Sequence, residues 1–333
     1  MKPKVIVLTT GGTIGHRSGK DGVAVMNFDP AELAAEAGVP EIELQFRAIF
    51  RKGSMDVVPD DWVKIATAVA DAQRDQPRGV VILHGTDTMH YTASALSFML
   101  RGLSVPVVMT GSMIPGGNPG SDALPNLRDA ILVAAYADLA EVCVVFSADL
   151  ERTKALIIRG TRARKMHSHG IVAFDSINAP PLGDVVNGKV LLRPFDVRRR
   201  AHGELTLATG IEQNVVLLKL NPALTPDVLA RQLQGAAGAV LEGTGVGHIK
   251  TDLQGAVAAF GKPAVITTQT VYGGECLGSY DVDKAILAIP NIIPTGDMHS
   301  DAAFVKLMWA LGQGGDVRSL MRTNVAGEIG GAA

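Results

Sequence analysis

The sequence predicts an α/β protein, with a doubly wound, mostly parallel sheet in an N-terminal domain followed by a smaller α/β domain. Short runs of β-branched residues recur along the chain, and segments with the apolar spacing of helices lie between them. Continuous apolar runs of this kind are typical of parallel strands that helices cover on both faces. The alternation stops once, after the middle of the chain, and this indicates two domains.

Four buried strands are predicted in the N-terminal half, and each ends in Gly, Thr or Ser. They are VIVL before TTGGT, VVIL before HGTDT, VPVVM before TGS and VCVVF before SAD. Helical spacing falls between them over residues 61–73, 91–101 and 124–137. Strand and helix therefore alternate, as they do in a parallel sheet with crossover helices.

Residues 180–210 lack helical spacing and are rich in Pro, Gly and charge, which is typical of a linker with a peripheral hairpin. A second alternating set follows. Its strands are VVLLKL, AVLEG and AVITT, and its helices come after Thr225, near Asp252 and over 301–311. We therefore predict an N-terminal domain over 1–190, a linker over 191–210 and a C-terminal α/β domain over 211–333.

The composition excludes several classes of protein. With 47% hydrophobic and 19% charged residues among 333, the chain as a whole is not intrinsically disordered. A net charge of −2 supplies no field that would hold a polyanion, so we expect no nucleic-acid partner. Cys143 and Cys276 form no CxxC pair, which indicates core thiols in a reducing compartment, without a disulfide framework or a zinc site.

Nothing in the sequence predicts export or membrane insertion. The apolar run of the first strand is too short for the core of a signal peptide. Asp138 and Glu141 interrupt the longest apolar region, residues 131–148, so this region is not a membrane span. We expect a cytoplasmic protein that does not act at a membrane.

Hydroxyl side chains follow three of the predicted strands, in TTGGT, HGTDT and TGS. Ligands of open α/β sheets bind beyond the carboxyl ends of the strands, so these residues would share one rim. The Gly pair of TTGGT would bring Thr13 to a ligand, although a tight strand exit explains the same pattern. Asp87 of HGTDT follows a buried strand and therefore needs a partner, or serves as a helix cap. No GxGxxG or P-loop motif occurs, so no nucleotide is predicted.

Two runs of basic residues are typical of solvated surface. They are Arg159, Arg162, Arg164 and Lys165, and then Arg198, Arg199 and Arg200. The histidines His167 and His169 are two positions apart without cysteine or acidic companions, so this pair does not favour a metal site.

The motifs converge when they are taken together. TTGGTIG, HGTDTM, TGSMIP, SDALPNLRDA and IIPTGDMHSDAAF, with TGGTI and HGTDTM specific as a pair, resemble the bacterial-type L-asparaginases in their cytoplasmic and archaeal-like branch. The resemblance runs nearly from end to end of the chain. It implies hydrolysis of a side-chain amide without a cofactor or a metal, in a homodimer or homotetramer whose sites lie at the subunit interface.

The resemblance also implies catalytic residues. Thr13 matches the nucleophilic threonine of the family, Thr86 and Asp87 match its second threonine and the adjacent aspartate, and Lys165 matches the lysine that completes this hydrogen-bonded group. The chemistry asks for these types, because a neutral hydroxyl attacks an amide only when a proton acceptor takes its proton. The sequence leaves open whether Lys165 acts as base or as fixed charge, and which threonine acts at which step.

Substrate-binding residues are implied in the same way. Ser54 falls where the family grips the α-carboxylate, and Tyr272 and Glu275 lie on a loop that would hold the α-amino group in a neighbouring site. The remaining residues implied to bind the substrate are Met55 and Gly85.

The chain departs from the family pattern at three places. Met55 stands where many relatives have a polar residue, so substrate recognition is expected to be looser. Residues 16–27 are interpreted as a lid that lacks the tyrosine often found there. Val246 stands where secreted relatives have an asparagine that contributes across the subunit interface.

The leading hypothesis is therefore an L-asparagine amidohydrolase that works through a threonine nucleophile and an acyl-enzyme, with a glutaminase side activity. EGTGVGHI and RKMHS also resemble the D subunit of the archaeal tRNA-dependent glutamine-forming amidotransferase, which would need a partner protein. We expect this chain to lack the extra N-terminal domain and the basic surface of that relative. The three departures motivate a third hypothesis, a module that binds an amino acid without turning it over.

Overall fold

The computed structural model describes residues 2–11, 35–194, 196–201 and 203–330, with residue 32 and the backbone of 16–18 and 24–26. The chain divides into two units. The first comprises residues 1–176 and 180–207, and the second comprises residues 177–179 and 208–333. The predicted fold class is confirmed, because a large, mostly parallel sheet is accompanied by a separate, smaller α/β unit.

The first unit contains three α-helices that are described from end to end and fourteen described strands. The helices are α1 (Pro59–Gln73), α2 (Met89–Met99) and α3 (Ala123–Tyr136). The strands are β1 (Lys4–Gly11), β2 (His16–Ser18), β3 (Ala24–Met26), β4 (Glu43–Lys52), β5 (Gly79–Leu83), β6 (Leu100–Arg101), β7 (Val107–Thr110), β8 (Val142–Ser147), β9 (Lys154–Arg159), β10 (Ala163–Lys165), β11 (Phe174–Ser176), β12 (Gly183–Val186), β13 (Lys189–Leu192) and β14 (Thr206–Leu207).

Eight of these strands form one sheet in the order β13–β12–β9–β8–β7–β5–β1–β4. Neighbouring strands from β4 to β8 run parallel. The strands β9, β12 and β13 add an antiparallel edge, and β12 with β13 forms the hairpin predicted for residues 180–210. Three antiparallel pairs lie outside this sheet, namely β2 with β3, β10 with β11, and β6 with β14.

Both faces of the central strands are buried. Val81 and Leu83 of β5 belong to a hydrophobic cluster that includes Leu127 and Ile131 of α3. The intervening residue Ile82 points to the opposite face, because side chains alternate along a strand, and it is also fully buried. This explains why β5, β7 and β8 are continuous apolar runs in the sequence.

The strand order reverses between β1 and β5. The chain passes from β1 to β4 at the edge of the sheet, and it then returns to the other side of β1 to form β5, β7 and β8. In an open parallel sheet this reversal opens a crevice at the carboxyl ends of the two central strands. Strand β1 ends within TTGGT, at Gly11, and HGTDT follows β5, so the described part of the first motif and the whole of the second lie at this reversal.

The second unit is built on a four-stranded parallel sheet in the order β15–β16–β17–β18. Its described strands are β15 (Val215–Lys219), β16 (Gly238–Gly243), β17 (Ala264–Thr268) and β18 (Ile292–Pro294). Its described helices are α4 (Pro226–Leu233), α5 (Gln254–Phe260), α6 (Asp281–Leu287), α7 (Ser300–Gly312) and α8 (Val317–Arg322). Helix α4 begins where the Thr225 hydroxyl accepts the Val228 N–H and Pro226 opens the first turn.

A buried ion pair ties the last described residues to α7. Lys306 and Glu328 are both fully buried, and Lys306 Nζ lies 2.5 Å from Glu328 Oε1. The ammonium group also donates to the carbonyl oxygens of Met321 and Thr323, at 3.0 and 2.7 Å. Burial lowers the pKa of Lys306, although the negative charge of Glu328 opposes this effect.

The prediction of two core cysteines is right for one and wrong for the other. Cys143 lies in β8 and is fully buried, and burial raises the pKa of its thiol. Cys276 is exposed in the loop before α6, where its N–H donates to the Val246 carbonyl at 3.0 Å. The positive φ angles of Gly273, Gly274 and Gly278 explain the difference, because they turn this segment into a surface loop.

The expectation that the basic runs lie on solvated surface is also wrong for three arginines. Arg162 is 1% exposed, and Arg159 is buried with its Nε 2.7 Å from Glu141 Oε2. Arg200 donates from Nε to the Ala137 carbonyl at the end of α3, 2.7 Å away, and burial lowers its pKa to about 10. Carbonyl groups at a helix end need donors, and an arginine supplies them even when its neighbours in the sequence suggest a linker.

Among the described residues, none of the helices is both long and apolar enough to cross a bilayer.

Candidate active site

The carboxyl ends of β1, β5 and β7 stand level with one another. Thr9 of β1 pairs with Leu83 of β5, and Leu83 in turn pairs with Thr110 of β7. The hydroxyl of Thr10 donates to the Leu83 carbonyl at 3.0 Å. The ends of these strands therefore lie side by side, at the edge where ligands of open α/β sheets bind.

Lys165, the last residue of β10, reaches the loop that follows β5. Its Nζ lies 2.9 Å from Thr86 Oγ1 and 2.6 Å from Asp87 Oδ1. Thr86 is buried, the side chain of Lys165 is 12% exposed, and that of Asp87 is 65% exposed. Three of the residues singled out in the sequence are thus within hydrogen-bond distance, although they are far apart in the chain.

This arrangement suits proton transfer. An ammonium group has three donors, so Lys165 can bond the Thr86 hydroxyl and the Asp87 carboxylate at the same time. Because Thr86 Oγ1 accepts from Lys165, its own hydrogen can donate to a further acceptor. A hydroxyl held next to an amine and a carboxylate has the groups that general acid–base chemistry requires.

Ser54 lies against the same loop. Its hydroxyl accepts the Asp87 N–H at 3.2 Å, and its carbonyl accepts the hydroxyl of Thr88 at 2.7 Å. A methyl group at Gly85 would lie 2.6 Å from Ser54 Oγ, so only glycine allows this approach. The structure brings Ser54 and Gly85 together, whereas the adjacent Met55 is 78% exposed.

Asp61 holds the turn that carries Ser54 (Ser54–Asp56). Its carboxylate accepts bonds from Lys52 at 2.6 Å and Lys64 at 2.8 Å, and from the Val58 N–H at 3.2 Å. Burial alone would raise the pKa of Asp61, but these hydrogen bonds and charges outweigh it and lower the pKa to about 2. The two ends of the turn, on either side of Ser54, are therefore fastened to one carboxylate.

His84 opens the HGTDT loop as a buried, neutral imidazole. Its Nδ1 lies 2.7 Å from the Gly85 carbonyl, and a carbonyl can only accept, so Nδ1 carries the proton. Its Nε2 then accepts the Thr92 hydroxyl at 3.1 Å. Burial lowers the pKa of His84 to about 4, although the bond to the Gly85 carbonyl opposes this effect. The ring thus fixes the orientation of the peptide group next to Thr86.

Asp122 and Asn126 brace the loop that follows β7. Asp122 Oδ1 accepts the N–H groups of Met113 and Ile114 at 3.0 and 2.9 Å. The Asn126 amide donates to Asp122 Oδ2 at 2.9 Å, and its oxygen accepts the Ser147 hydroxyl at 2.7 Å. All of these groups are buried or partly buried. Hydrogen bonds with the first residues of α3 and with Asp122, which precedes it, therefore hold the loop that follows β7 in place.

The sequence-based interpretation assigned no role to Asp61, His84, Asp122 or Asn126. The signal that was present is local: His84 begins the HGTDT motif, and Asp122 and Asn126 belong to SDALPNLRDA. Their hydrogen-bond partners are side chains and backbone groups that the fold brings close, and a single sequence does not reveal such partners.

Tyr272 and Glu275 lie in the second unit, on the loop that precedes α6. Glu275 is buried, and its carboxylate accepts the N–H groups of Leu277 at 2.7 Å and of Thr295 and Gly296 at 3.1 Å. Tyr272 is 52% exposed. A carboxylate has about four acceptor positions, so Glu275 retains capacity for one further donor.

Two predictions for the N-terminal segment fall partly or wholly outside the described residues. Thr13 lies outside them. Of the predicted lid, residues 16–27, the structure describes the backbone of β2 and β3, which pair as an antiparallel ribbon. Val246 is described in the second unit, half-buried, with its carbonyl bonded to Cys276.

Within the part of the chain that the structure describes, no group of three or more His, Cys, Asp or Glu side chains is placed to hold a metal ion.

The comparisons with known families cover most of the chain. A family model described as asparaginase, N-terminal, matches residues 4–196. A second model, described as glutaminase/asparaginase C-terminal domain, matches residues 214–323.

Individual proteins of known name match over nearly the whole length. The L-asparaginase of Thermococcus kodakarensis is 41% identical over 339 residues, which cover 99% of this chain and 100% of that protein. The D subunit of the glutamyl-tRNA(Gln) amidotransferase of Pyrococcus horikoshii is 39% identical, over 98% of this chain and 77% of that protein. A solved structure of the thermostable L-asparaginase from Thermococcus kodakarensis superposes with a TM-score of 0.89 and 39% identity, over 99% of this chain and 100% of that one.

Proposed function

Because the chain belongs to the asparaginase family, we propose that it hydrolyses the side-chain amide of L-asparagine to L-aspartate and ammonia. The single observation that carries this proposal is the contact of Lys165 Nζ with Thr86 Oγ1 and Asp87 Oδ1, at 2.9 and 2.6 Å. The L-asparaginase name of a relative that is 41% identical over nearly the whole chain supports the choice of substrate.

In the proposed reaction, the hydroxyl oxygen of Thr13 attacks the amide carbon and gives up its proton. The hydrogen-bonded group of Thr86, Lys165 and Asp87 takes part in moving this proton toward the leaving nitrogen, which departs as ammonia. The C–N bond breaks and an ester with Thr13 remains. A water molecule then attacks the ester carbon, and the same hydrogen-bonded group takes part in moving its proton. Aspartate is released, and the hydroxyl group of Thr13 is regenerated.

The residues around Thr86 support binding of the amino-acid part of the substrate. Ser54 and Gly85 lie next to each other beside Asp87, and we propose that Ser54 bonds the α-carboxylate. Met55 offers no hydrogen bond to the substrate, so we propose that the enzyme also accepts L-glutamine at a lower rate. Backbone N–H groups at the strand ends would stabilise the oxyanion, where one donor is worth about 3–4 kcal/mol in other hydrolases.

The test is ammonia release by the purified protein from L-asparagine, L-glutamine and related amides. Thr86→Val keeps the shape of the side chain and removes its hydroxyl, and Thr13→Ala removes the proposed nucleophile. Thr67→Val, on the exposed face of α1, is the matched control. We expect release from L-asparagine by the wild type and the control, and a loss of about a thousandfold or more in the two site variants. Ammonia release by Thr13→Ala at the wild-type rate would reject the nucleophile.

A second candidate function has specific support, since several D subunits of archaeal glutamyl-tRNA(Gln) amidotransferases are 35–41% identical over 98% of this chain. In that case the same amidase chemistry would supply ammonia to a partner protein. Purification from the native host under low salt discriminates between the two functions. A large copurifying partner, with amidase activity only in its presence, would favour the amidotransferase over a free amidohydrolase.

We further propose that the protein is a cytoplasmic homo-oligomer in which Tyr272 and Glu275 serve the site of a neighbouring subunit. Mixing two inactive variants tests this arrangement. Thr86→Val and Glu275→Gln each damage one half of such a site, so refolding them together restores some intact sites and therefore some ammonia release. No recovery in mixed oligomers would show that Glu275 does not act across a subunit interface.

A further inference from the structure

The strand that ends in Lys165 belongs to a short hairpin. Ala163 pairs with Ser176 and Lys165 pairs with Phe174, and β10 and β11 form a two-stranded sheet of their own. Beyond Lys165 the Met166 N–H donates to the Ala173 carbonyl at 2.7 Å. Packing holds the strands themselves, since Ala163 and Phe174 are buried and the Phe174 ring contacts that of Phe146. Residues 166–169 of the connecting loop are exposed, so the geometry at the end of the hairpin that carries Lys165 depends on how this loop is held.

His167 holds that loop through one ring nitrogen. Its Nδ1 accepts the N–H of His169 at 3.1 Å and the N–H of Gly170 at 2.8 Å. A nitrogen that accepts two N–H groups carries no proton, so the ring hydrogen is on Nε2. The ring also lies against the backbone, since a methyl group at Gly170 would be 3.1–3.2 Å from three of its atoms.

His169, the other histidine of the motif, has a different setting. Its Nδ1 lies 3.0 Å from the hydroxyl of the adjacent Ser168, and its ring packs edge-on against His167 with centroids 4.5 Å apart. It bonds no backbone group through its side chain in the described contacts. The two histidines therefore form a matched pair, in which one ring fastens the turn and the other lies beside it.

We infer that His167 is a positioning residue for Lys165. Its neutral Nδ1 fixes the turn over 167–170, the turn sets the geometry of the β10–β11 hairpin, and the hairpin directs Lys165 Nζ toward Thr86 Oγ1 and Asp87 Oδ1. His167 is only two residues from Lys165 in the chain, so a change in the turn acts directly on the backbone that carries Lys165. A shift of about 1 Å in a catalytic group can lower a rate about a hundredfold, so a loosened turn is sufficient to impair the site.

This inference rests on the proposed function for its kinetic test, but it also makes a structural prediction that needs no activity. In crystals of His167→Ala, the turn over 167–170 should rearrange and Lys165 Nζ should leave hydrogen-bond distance of Thr86 Oγ1. In His167→Asn both contacts should persist, because the Asn oxygen reaches the position of Nδ1 and accepts the same N–H groups. His169→Ala is the matched control and should keep the wild-type geometry.

The kinetic test uses the same three variants and ammonia release from L-asparagine. We expect His167→Ala to lower kcat about 10- to 100-fold with a smaller change in KM, while His167→Asn and His169→Ala stay within about threefold of wild type. Activity that is lost in His167→Ala and retained in His167→Asn would show that a missing hydrogen-bond acceptor, and not a general loss of packing, impairs the enzyme.

Failure of this inference can be distinguished from failure of the proposed function. If the wild type releases no ammonia, the proposed function fails and the crystal structures alone decide the role of His167. A His167→Ala structure with Lys165 still 2.9 Å from Thr86 would overturn the inference, and so would equal impairment of the Ala and Asn variants.

Discussion

The ammonium group of Lys165 donates a hydrogen bond of 2.9 Å to the hydroxyl oxygen of Thr86. The two residues come from different parts of the first unit, since Thr86 follows the central strand β5 and Lys165 ends the separate hairpin strand β10. The site is therefore assembled by tertiary structure, and its parts can be perturbed one at a time.

Replacement of Lys165 is expected to remove most of the activity. Lys165→Met keeps the length and loses the charge and both hydrogen bonds, so we expect kcat for L-asparagine to fall about 10²- to 10⁴-fold. Lys165→Arg should also be impaired, because a planar guanidinium does not replace a compact amine that contacts two oxygens. Lys154→Met, at a half-exposed pair with Asp184, is the control and should keep wild-type kcat.

Replacement of Asp122 is expected to loosen the loop after β7. Asp122→Asn loses acceptor capacity for the Met113 and Ile114 N–H groups, and hydrogen bonds to a charged group contribute about 1.5–3 kcal/mol each. We expect urea denaturation to show a loss of about 2–3 kcal/mol in unfolding free energy. Asp281→Asn, at an exposed pair with Lys284, should change it by less than about 0.5 kcal/mol.

His84 is expected to make stability depend on pH. Burial lowers its pKa from 6.5 to about 4, so between these values the unfolded chain binds a proton that the folded chain does not. Its contribution is complete above about pH 6.5 and is lost as the pH falls to 4. The total is on the order of 3 kcal/mol, at about 1.36 kcal/mol for each pKa unit.

The measurement for His84 compares unfolding free energies of wild type and His84→Asn from about pH 7 to about pH 4. The asparagine keeps a donor to the Gly85 carbonyl and does not titrate, so the difference between the two proteins should shrink as the pH falls. Thr67→Val, on the exposed face of α1, changes no titrating group and should run parallel to wild type. A pH-independent difference for His84→Asn would show that His84 does not contribute through its protonation.

The buried pair of Lys306 and Glu328 is expected to couple strongly. Removal of one partner leaves the other charge buried without compensation, which typically costs about 3–5 kcal/mol. A double-mutant cycle with Lys306→Met and Glu328→Gln should give a coupling above about 1 kcal/mol. The exposed pair of Lys284 and Asp281 should give less than about 0.5 kcal/mol, and equal values for the two pairs would contradict this expectation.

The strands and helices that could be predicted from the sequence are those with a regular pattern of apolar residues. The strands β5, β7 and β8 and the helices α1, α2 and α3 were predicted because each carries an unbroken apolar run or a clear helical period. The strand β4 was missed, because all ten of its residues are half-buried or exposed and mix Leu, Phe and Ile with charged residues. An edge strand of this kind has neither a continuous apolar run nor a strict alternation.

The candidate site, too, has one part that could be predicted from the sequence and one part that could not. The adjacency of the carboxyl ends of β1 and β5 could be predicted from the positions of the motifs alone, because neighbouring parallel strands end at the same edge of the sheet. The contact of Lys165 with Thr86 could not, because spacing does not report which loop a short hairpin faces, and only the family resemblance pointed to it. Arg200 shows the same limit, since its partner is a helix end that precedes it by more than sixty residues.

The division of the chain into units has a practical consequence for anyone who wishes to express the halves separately. Residues 177–179 belong to the second unit, although the hairpin strands that follow them return to the first. Asn178 donates to the Asp297 carbonyl and accepts the Gly273 N–H, at 2.7 and 2.8 Å. A fragment that starts at residue 208 would lose these two hydrogen bonds, so it should be less stable than a C-terminal protein to which residues 177–179 have been grafted.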